Sequence, residues 1–230
     1  MIGQSIGNAA GPRIAVVGVG GAGCNVVSSF MDECCPVDTI SINTDKEALH
    51  SCSADLKLYI CKEVLHGEGA RGDTTLGKRC ADIHMDEIRE AVSGYDAVFV
   101  VAGLGGGTGT GAMSVVLDAA QSQGVMTFAV AISPFTMEGR RKDVAREGWS
   151  HIKAVCENSI LVDNDKVLLR MADLTVAQAF GEVNRSIRAH VMGCIAGLND
   201  RFRDTRIRPS EVGVETDAGC DHPIQTLMSA

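Results

Sequence analysis

Residues 97–112 read AVFVVAGLGGGTGTGA. The first six, Ala97-Val98-Phe99-Val100-Val101-Ala102, form an unbroken apolar run rich in β-branched residues, the pattern of a strand buried on both faces. Five glycines then fall within seven residues, Gly105-Gly106-Gly107-Thr108-Gly109-Thr110-Gly111, and lead into a helical pattern over 109–121. A tight turn needs one or two glycines, so so many imply close approach of the backbone to something. Small residues at a helix N-terminus leave amides pointing outward as an anion cradle, and Thr108 and Thr110 add hydroxyls. No Lys-Ser or Lys-Thr pair follows the glycines, so the loop is not a Walker A loop.

The same grammar repeats on either side. Apolar runs predict strands over 14–18, 37–42, 125–132 and 159–162, with a weaker, polar-interrupted one over 56–60. Helical patterns lie over 24–31, 46–50, 139–156 and from the loop at 67–77 through Val92. Apolar residues at Val176, Phe180, Val183, Ile187, Val191, Ile195 and Leu198 predict one long helix over 174–199, about 39 Å at 1.5 Å per residue. Strands alternating with helices predict an α/β fold: a Rossmann-like, doubly wound, mostly parallel sheet covered on both faces. Ligands of such sheets bind at the carboxyl ends of the strands. One domain is expected over 13–200, preceded by a flexible lead-in over 1–12 and followed by a polar tail over 201–230 with no second domain.

Composition narrows the function classes. In 230 residues, 45% are hydrophobic and 22% charged, which excludes a disordered chain. A net charge of -8 argues against a broad nucleic-acid surface. No run approaches the ~20 apolar residues of a membrane span, and the N-terminus lacks the basic and apolar regions of a secretory signal. Nine cysteines, an odd number with no CxxC, read as reduced and mostly buried thiols of a cytoplasmic protein. The six histidines do not pair with cysteines at ligand spacing, so no metal site is expected.

A second glycine loop, Gly18-Val19-Gly20-Gly21-Ala22-Gly23-Cys24-Asn25, follows the first strand. By itself it fits the dinucleotide fingerprint, and Asp45 stands about where such a site places its ribose carboxylate. This loop alone leaves a dinucleotide and a mononucleotide equally open.

Together the motifs resemble the tubulin/FtsZ family of GTPases, and FtsZ more than tubulin, over about residues 14–198. The segment 105–112 resembles its GGGTGTG signature and 18–25 its first phosphate loop. Ile42-Asn43-Thr44-Asp45 resembles its NTD loop, and Gly67-Glu68-Gly69-Ala70 the loop that senses the γ-phosphate. Pro134-Phe135-Thr136-Met137-Glu138-Gly139 resembles its ribose loop, and Asn164-Asp165 the segment before its central helix. The resemblance implies GTP or GDP as ligand, with any Mg²⁺ held mainly by phosphates. It implies that Gly20, Gly21, Ala22, Gly23 and Cys24 wrap the inner phosphates and that Asn25 bonds the base. Asn43, Asp45, Gly69, Ala70, Arg71, Gly105, Gly106, Gly107, Thr108, Gly109 and Thr110 would line the phosphate side. Pro134, Glu138, Lys142 and Asn164 would lie at the ribose side, with Phe180 stacked on the purine and Asn184 on its edge.

The sequence departs from the family in three places. Arg71 replaces the last glycine of the γ-phosphate loop, where its guanidinium would either reach the phosphate or turn into solvent; solvent is the usual place for Arg. Lys142 stands where the family has Arg, which keeps the charge and loses the bidentate fork. The family's paired acids of the hydrolytic loop align with Arg208 and Glu211, and Arg cannot act as a base. Asp200, Asp204 and Glu211 are the remaining carboxylate candidates. With the second domain also lacking, these departures favour a natural divergent member of the family over a shortened one. The expected function is a GTP-binding protein that self-associates, or joins another FtsZ-like subunit, through its nucleotide face, with weak or no hydrolysis. An active filament-forming GTPase of cell division or shape is the alternative. An NAD-dependent oxidoreductase is remote, because it leaves 105–112 and 134–139 unexplained. No nucleic acid and no membrane insertion are expected.

Overall fold

The computed structural model describes residues 11–31, 37–169 and 175–205, without the side chains of 167–169, 176–177 and 203–205. Six strands form one all-parallel sheet in the order β3-β2-β1-β4-β5-β6. They are β1 (Ile14–Val19), β2 (Asp38–Asn43), β3 (Leu56–Tyr59), β4 (Ala97–Gly103), β5 (Met126–Ser133) and β6 (Ser159–Asp163). Register brings Val17 opposite Ile40 on one side and Val100 on the other, and Val100 opposite Ala129.

Successive side chains on a strand point to opposite faces, and both faces here are covered. Ala15, Val17, Val98, Val100 and Ala102 enter one core with Cys80, Ile88, Leu117 and Ile152. These four come from α4 (Thr74–Ile83), α5 (Met85–Ala91), α6 (Gly107–Gln121) and α7 (Arg140–Val155). Ile14, Val16, Ala97, Phe99 and Val101 enter the opposite core with Val26 and Val27 of α1 (Gly20–Ser28). There they meet Val183, Ile187, Val191 and Ile195 of α9 (Val176–Thr205). Spaced four apart, these four share one stripe of α9, and each contributes about 1.5–3 kcal/mol by leaving water.

The remaining helices are α2 (Lys46–Ser51), α3 (Lys62–Leu65) and α8 (Asn164–Leu169). α9 is 30 residues long, about 45 Å, and runs through Asp200 to Thr205, past the end that its apolar spacing predicts at 199. The first residues of the expected tail are thus helical, and 206–230 lie outside the described residues. α1 and α6 begin inside the glycine loops, earlier than expected, and the single helix expected through Val92 is two, divided at His84.

The strand order turns at the β1/β4 pair. The chain leaves β1 toward one face and β4 toward the other, so a crevice opens at their carboxyl ends. Both glycine loops sit there.

Candidate functional site

The two helices that start in this crevice have bare N-termini. The N-cap residues Val19 of α1 and Gly106 of α6 supply no side chain to the first amides, and neither first turn holds an acid. Two nearby helices are capped in the usual way. Asp45 accepts from the Ala48 amide at the start of α2, and Asp73 from the Leu76 amide at the start of α4. The contrast marks the amides of 20–22 and 106–109 as groups in need of a partner, with the positive ends of two helix dipoles behind them.

The two starts abut. Gly20 has a φ of +71°, and a Cβ there would lie 2.8 Å from the Gly109 nitrogen. Most glycines of the second loop serve this packing. A Cβ on Gly107 would come within 2.9 Å of Asp73 backbone, one on Gly109 within 2.3 Å of the Gly103 carbonyl, and one on Gly111 within 2.1 Å of the Thr74 carbonyl. Close approach of backbone was expected, and here protein backbone is much of what approaches. Gly21 differs, because a Cβ there would meet nothing within 4 Å. Gly105 and Thr110 hold each other: the Gly105 amide donates to the Thr110 hydroxyl at 2.8 Å.

Other loops close the rim. The Thr44 and Thr108 hydroxyls share a hydrogen bond of 2.6 Å, which ties the end of β2 to α6. Asp45 pairs with Glu68 as an isolated antiparallel bridge, and the Lys46 amide donates to the Gly67 carbonyl. Gly69 packs against Asp45, and Ala70, buried, against Gly107. Arg71 adopts a left-handed φ of +46°; its exposed side chain pairs with Glu68, on the solvent side of the two alternatives. Asn43 is buried, accepts from the Asp45 amide, and has an Nδ2 group without a partner among the described residues. Cys24 is buried with its sulfur toward the Gly18 and Ile42 carbonyls, so only its backbone borders the cradle. Burial, with Cys52 beside it, pushes this thiol up to about 12.

On the opposite side, β5 ends at buried Pro134 and Phe135, and a 3-10 turn (Thr136–Glu138) leads to α7. The Phe135 amide donates to Glu138 Oε1 at 2.8 Å, and Arg141 Nη1 donates to Oε2. Phe180, 44% exposed, meets the Phe135 ring edge-on, centroids 5.1 Å apart. Asn184 lies one turn further along α9 and is half-buried. Asn25 is exposed on α1. Asn164 is buried, and its Oδ1 has no partner among the described residues. An exposed ring, two orphaned amide groups and two rows of bare amides fit a ligand with an aromatic base and phosphates.

Lys142 is engaged elsewhere. Its ammonium donates to Asp165 at 2.8 Å, to Asp163 at 3.2 Å and to the Pro134 carbonyl at 3.1 Å. Burial would raise the Asp165 carboxyl, but hydrogen bonds from Lys142 and Thr136 overcome it and hold the pKa at about 2. The cation beside the second glycine loop is Arg141, whose Nε lies 3.4 Å from the Gly105 carbonyl. Its spacing of three from Glu138 on a helix start is the one signal in the sequence that could have found it. Thr44 and Asp165 act through contacts far apart in the chain.

Of the carboxylates considered for hydrolysis, Asp200 is exposed on α9, the side chain of Asp204 is not among those described, and Glu211 lies outside the described residues. Among the described residues no cluster of three or more His, Cys, Asp or Glu is placed to hold a metal, and no helix is long and apolar enough to cross a membrane.

The family model described as tubulin/FtsZ family, GTPase domain, matches residues 13–172. Cell division protein FtsZ 1 of Pyrococcus horikoshii is 43% identical over 210 residues, which are 88% of this chain and 56% of that protein. Cell division protein FtsZ 2 of Halobacterium salinarum is 37% identical over 183 residues, covering 79% and 47%. The chain thus spans about half the length of the curated relatives it matches. Among solved structures, an empty FtsZ dimer from M. jannaschii superposes with a TM-score of 0.77 at 34% identity, over 82% of this chain and 55% of that one. A GTPγS-bound protofilament of CetZ2 from Haloferax volcanii gives 0.70 at 28%, over 78% and 57%. With 160 residues under the family model and the same fold as the related structures, this chain belongs to the tubulin/FtsZ family of GTPases.

Proposed function

We propose that the chain binds GTP and GDP in the β1/β4 crevice and self-associates through that face in a nucleotide-dependent way, with weak or no hydrolysis of its own. The observation that carries this reading is the pair of abutting, uncapped helix N-termini, α1 and α6. Bare amides at two helix starts stabilise negative charge without any side chain. In this reading the α1 amides take the inner phosphates and the α6 amides the outer ones. Glu138 accepts from the ribose hydroxyls, and Phe180 offers its exposed face to the purine, with Asn184 and Asn25 toward the base edge. The related dimer and protofilament structures support contact between copies. Weak hydrolysis follows from the sequence: where the family places two acids, this chain has Arg208 and Glu211. A magnesium ion would be held mainly by the phosphates, and the cytoplasm is the expected compartment.

The deciding measurement is phosphate release from GTP with Mg²⁺ as a function of protein concentration. The proposal expects bound guanine nucleotide and a rate near zero at every concentration. A rate per molecule that climbs with concentration would show an active site completed between subunits. It would replace this reading with that of a filament-forming GTPase that draws an acid from Asp200, Asp204 or Glu211.

A further inference from the structure

Three cations lie in or beside the candidate loops, and Arg141 contacts the second glycine loop. Arg71 turns outward to Glu68. Lys142 is held by Asp163, Asp165 and the Pro134 carbonyl. Arg141 is placed differently. Its main chain packs directly on the loop, since a Cβ on Gly105 would lie 2.6 Å from the Arg141 carbonyl oxygen. Its guanidinium reaches back over the loop: Nε on the Gly105 carbonyl, Nη1 on Glu138, and Nη2 3.6 Å from where a Cβ of Gly106 would stand. Gly106 is the N-cap residue of α6, whose first amides are bare. The side chain is 53% exposed, so it can follow a ligand without unpacking a core.

We infer that Arg141, and not Lys142, is the cationic contact for the phosphate seated on the N-terminus of α6, and that it sets the preference for guanosine triphosphate over diphosphate. The inference rests on the reading of the crevice as a guanine-nucleotide site. A guanidinium suits the task because it presents several donors in one plane and stays charged. Glu138 and the Gly105 carbonyl hold two of its nitrogens, which leaves Nη2 beside Gly106, the N-cap residue of α6. Lys142 then has a different role: it fastens the turn after β5 to the end of β6.

The experiment is equilibrium titration of the full chain with GMPPCP, a non-hydrolysable GTP analogue, and with GDP, for the wild type and for Arg141→Ala, Arg141→Lys and Arg140→Ala. Arg140 is an exposed cation one residue away, so its variant controls for net charge. The expected result is that Arg141→Ala weakens GMPPCP about tenfold or more, the size of a charge-assisted hydrogen bond, and GDP by less than about threefold. Arg141→Lys recovers part of the loss, and Arg140→Ala keeps both affinities. A thermal melt of each variant checks the fold; an exposed ion pair contributes little to it, so the midpoints should stay close. Wild-type affinities with an unchanged GMPPCP-to-GDP ratio in Arg141→Ala would overturn the Arg141 assignment alone. Equal losses in Arg140→Ala would do the same, because net charge would then be the cause. A wild type that binds neither nucleotide would overturn both this inference and the site reading beneath it.

Discussion

At the scale of single residues, the glycines of the two loops are not equivalent, and the difference is testable. Gly111 allows α6 to touch α4, since a Cβ there would sit 2.1 Å from the Thr74 carbonyl. Gly111→Ala forces the two helices apart and should cost about 2–3 kcal/mol or more, as overpacking a rigid contact does. Gly21 is helical with open space in front of it, so Gly21→Ala should leave stability unchanged or raise it by up to about 1 kcal/mol. In the proposed site the same methyl group would stand where phosphate oxygens approach, so nucleotide affinity should fall. Denaturant melts and nucleotide titration of the two variants separate packing from binding, and a destabilised Gly21→Ala would contradict the open geometry. The sequence showed that backbone had to come close in these loops. It could not show to what, because a glycine facing a neighbouring helix and one facing a ligand look alike in one dimension.

At the scale of elements, the polar cluster of Lys142, Asp163 and Asp165 joins the 3-10 turn after β5, the start of α7 and the start of α8. Asp165 accepts from the Thr136 amide and hydroxyl as well as from Lys142. With a folded pKa near 2 against 3.8 for a free carboxyl, the ionised form is favoured by folding. Its stabilising contribution should be complete above about pH 4 and lost as pH falls toward 2. Asp165→Asn should therefore flatten that part of the stability profile, read as melting midpoints between pH 5 and 2 on the two proteins. An unchanged acid slope would mean that the cluster is not held as described. This join was not legible beforehand, since its members lie 21 and 23 residues apart. The helices α3 and α8, four and six residues long, were likewise unreadable, being too short to show a period. The strands β1 and β4 were legible because burial on both faces leaves an apolar run, whereas β3, exposed in part, gave a weaker signal. The ends of α1 and α6 were not, because glycine carries no hydropathic signal.

At the scale of the whole molecule, the order of motifs was legible because the loops at 18–25, 42–45, 105–112 and 134–139 each come at the end of a strand, so reading the strands also orders these loops around one crevice. The long helix α9 buries Val183, Ile187, Val191 and Ile195 against the sheet and carries Phe180, exposed beside Phe135, in its first turns. In the proposed site, base recognition and core packing therefore share one helix. Ligand that binds only the folded chain stabilises it by mass action, by about 2.7 kcal/mol at a hundredfold excess over Kd. Saturating GDP or GMPPCP should raise the melting midpoint by several degrees, and the same concentration of NAD should not; differential scanning fluorimetry reads both.

The abutment of Gly20 on Gly109 has one more consequence. Each helix start carries roughly half a positive elementary charge, so the two ends repel one another across a gap that no side chain can enter. A bound polyanion reverses the sign of that interaction. In thermodynamic terms such a polyanion would act as a counter-charge shared by the two helix starts, on top of the β1–β4 ladder that already joins them.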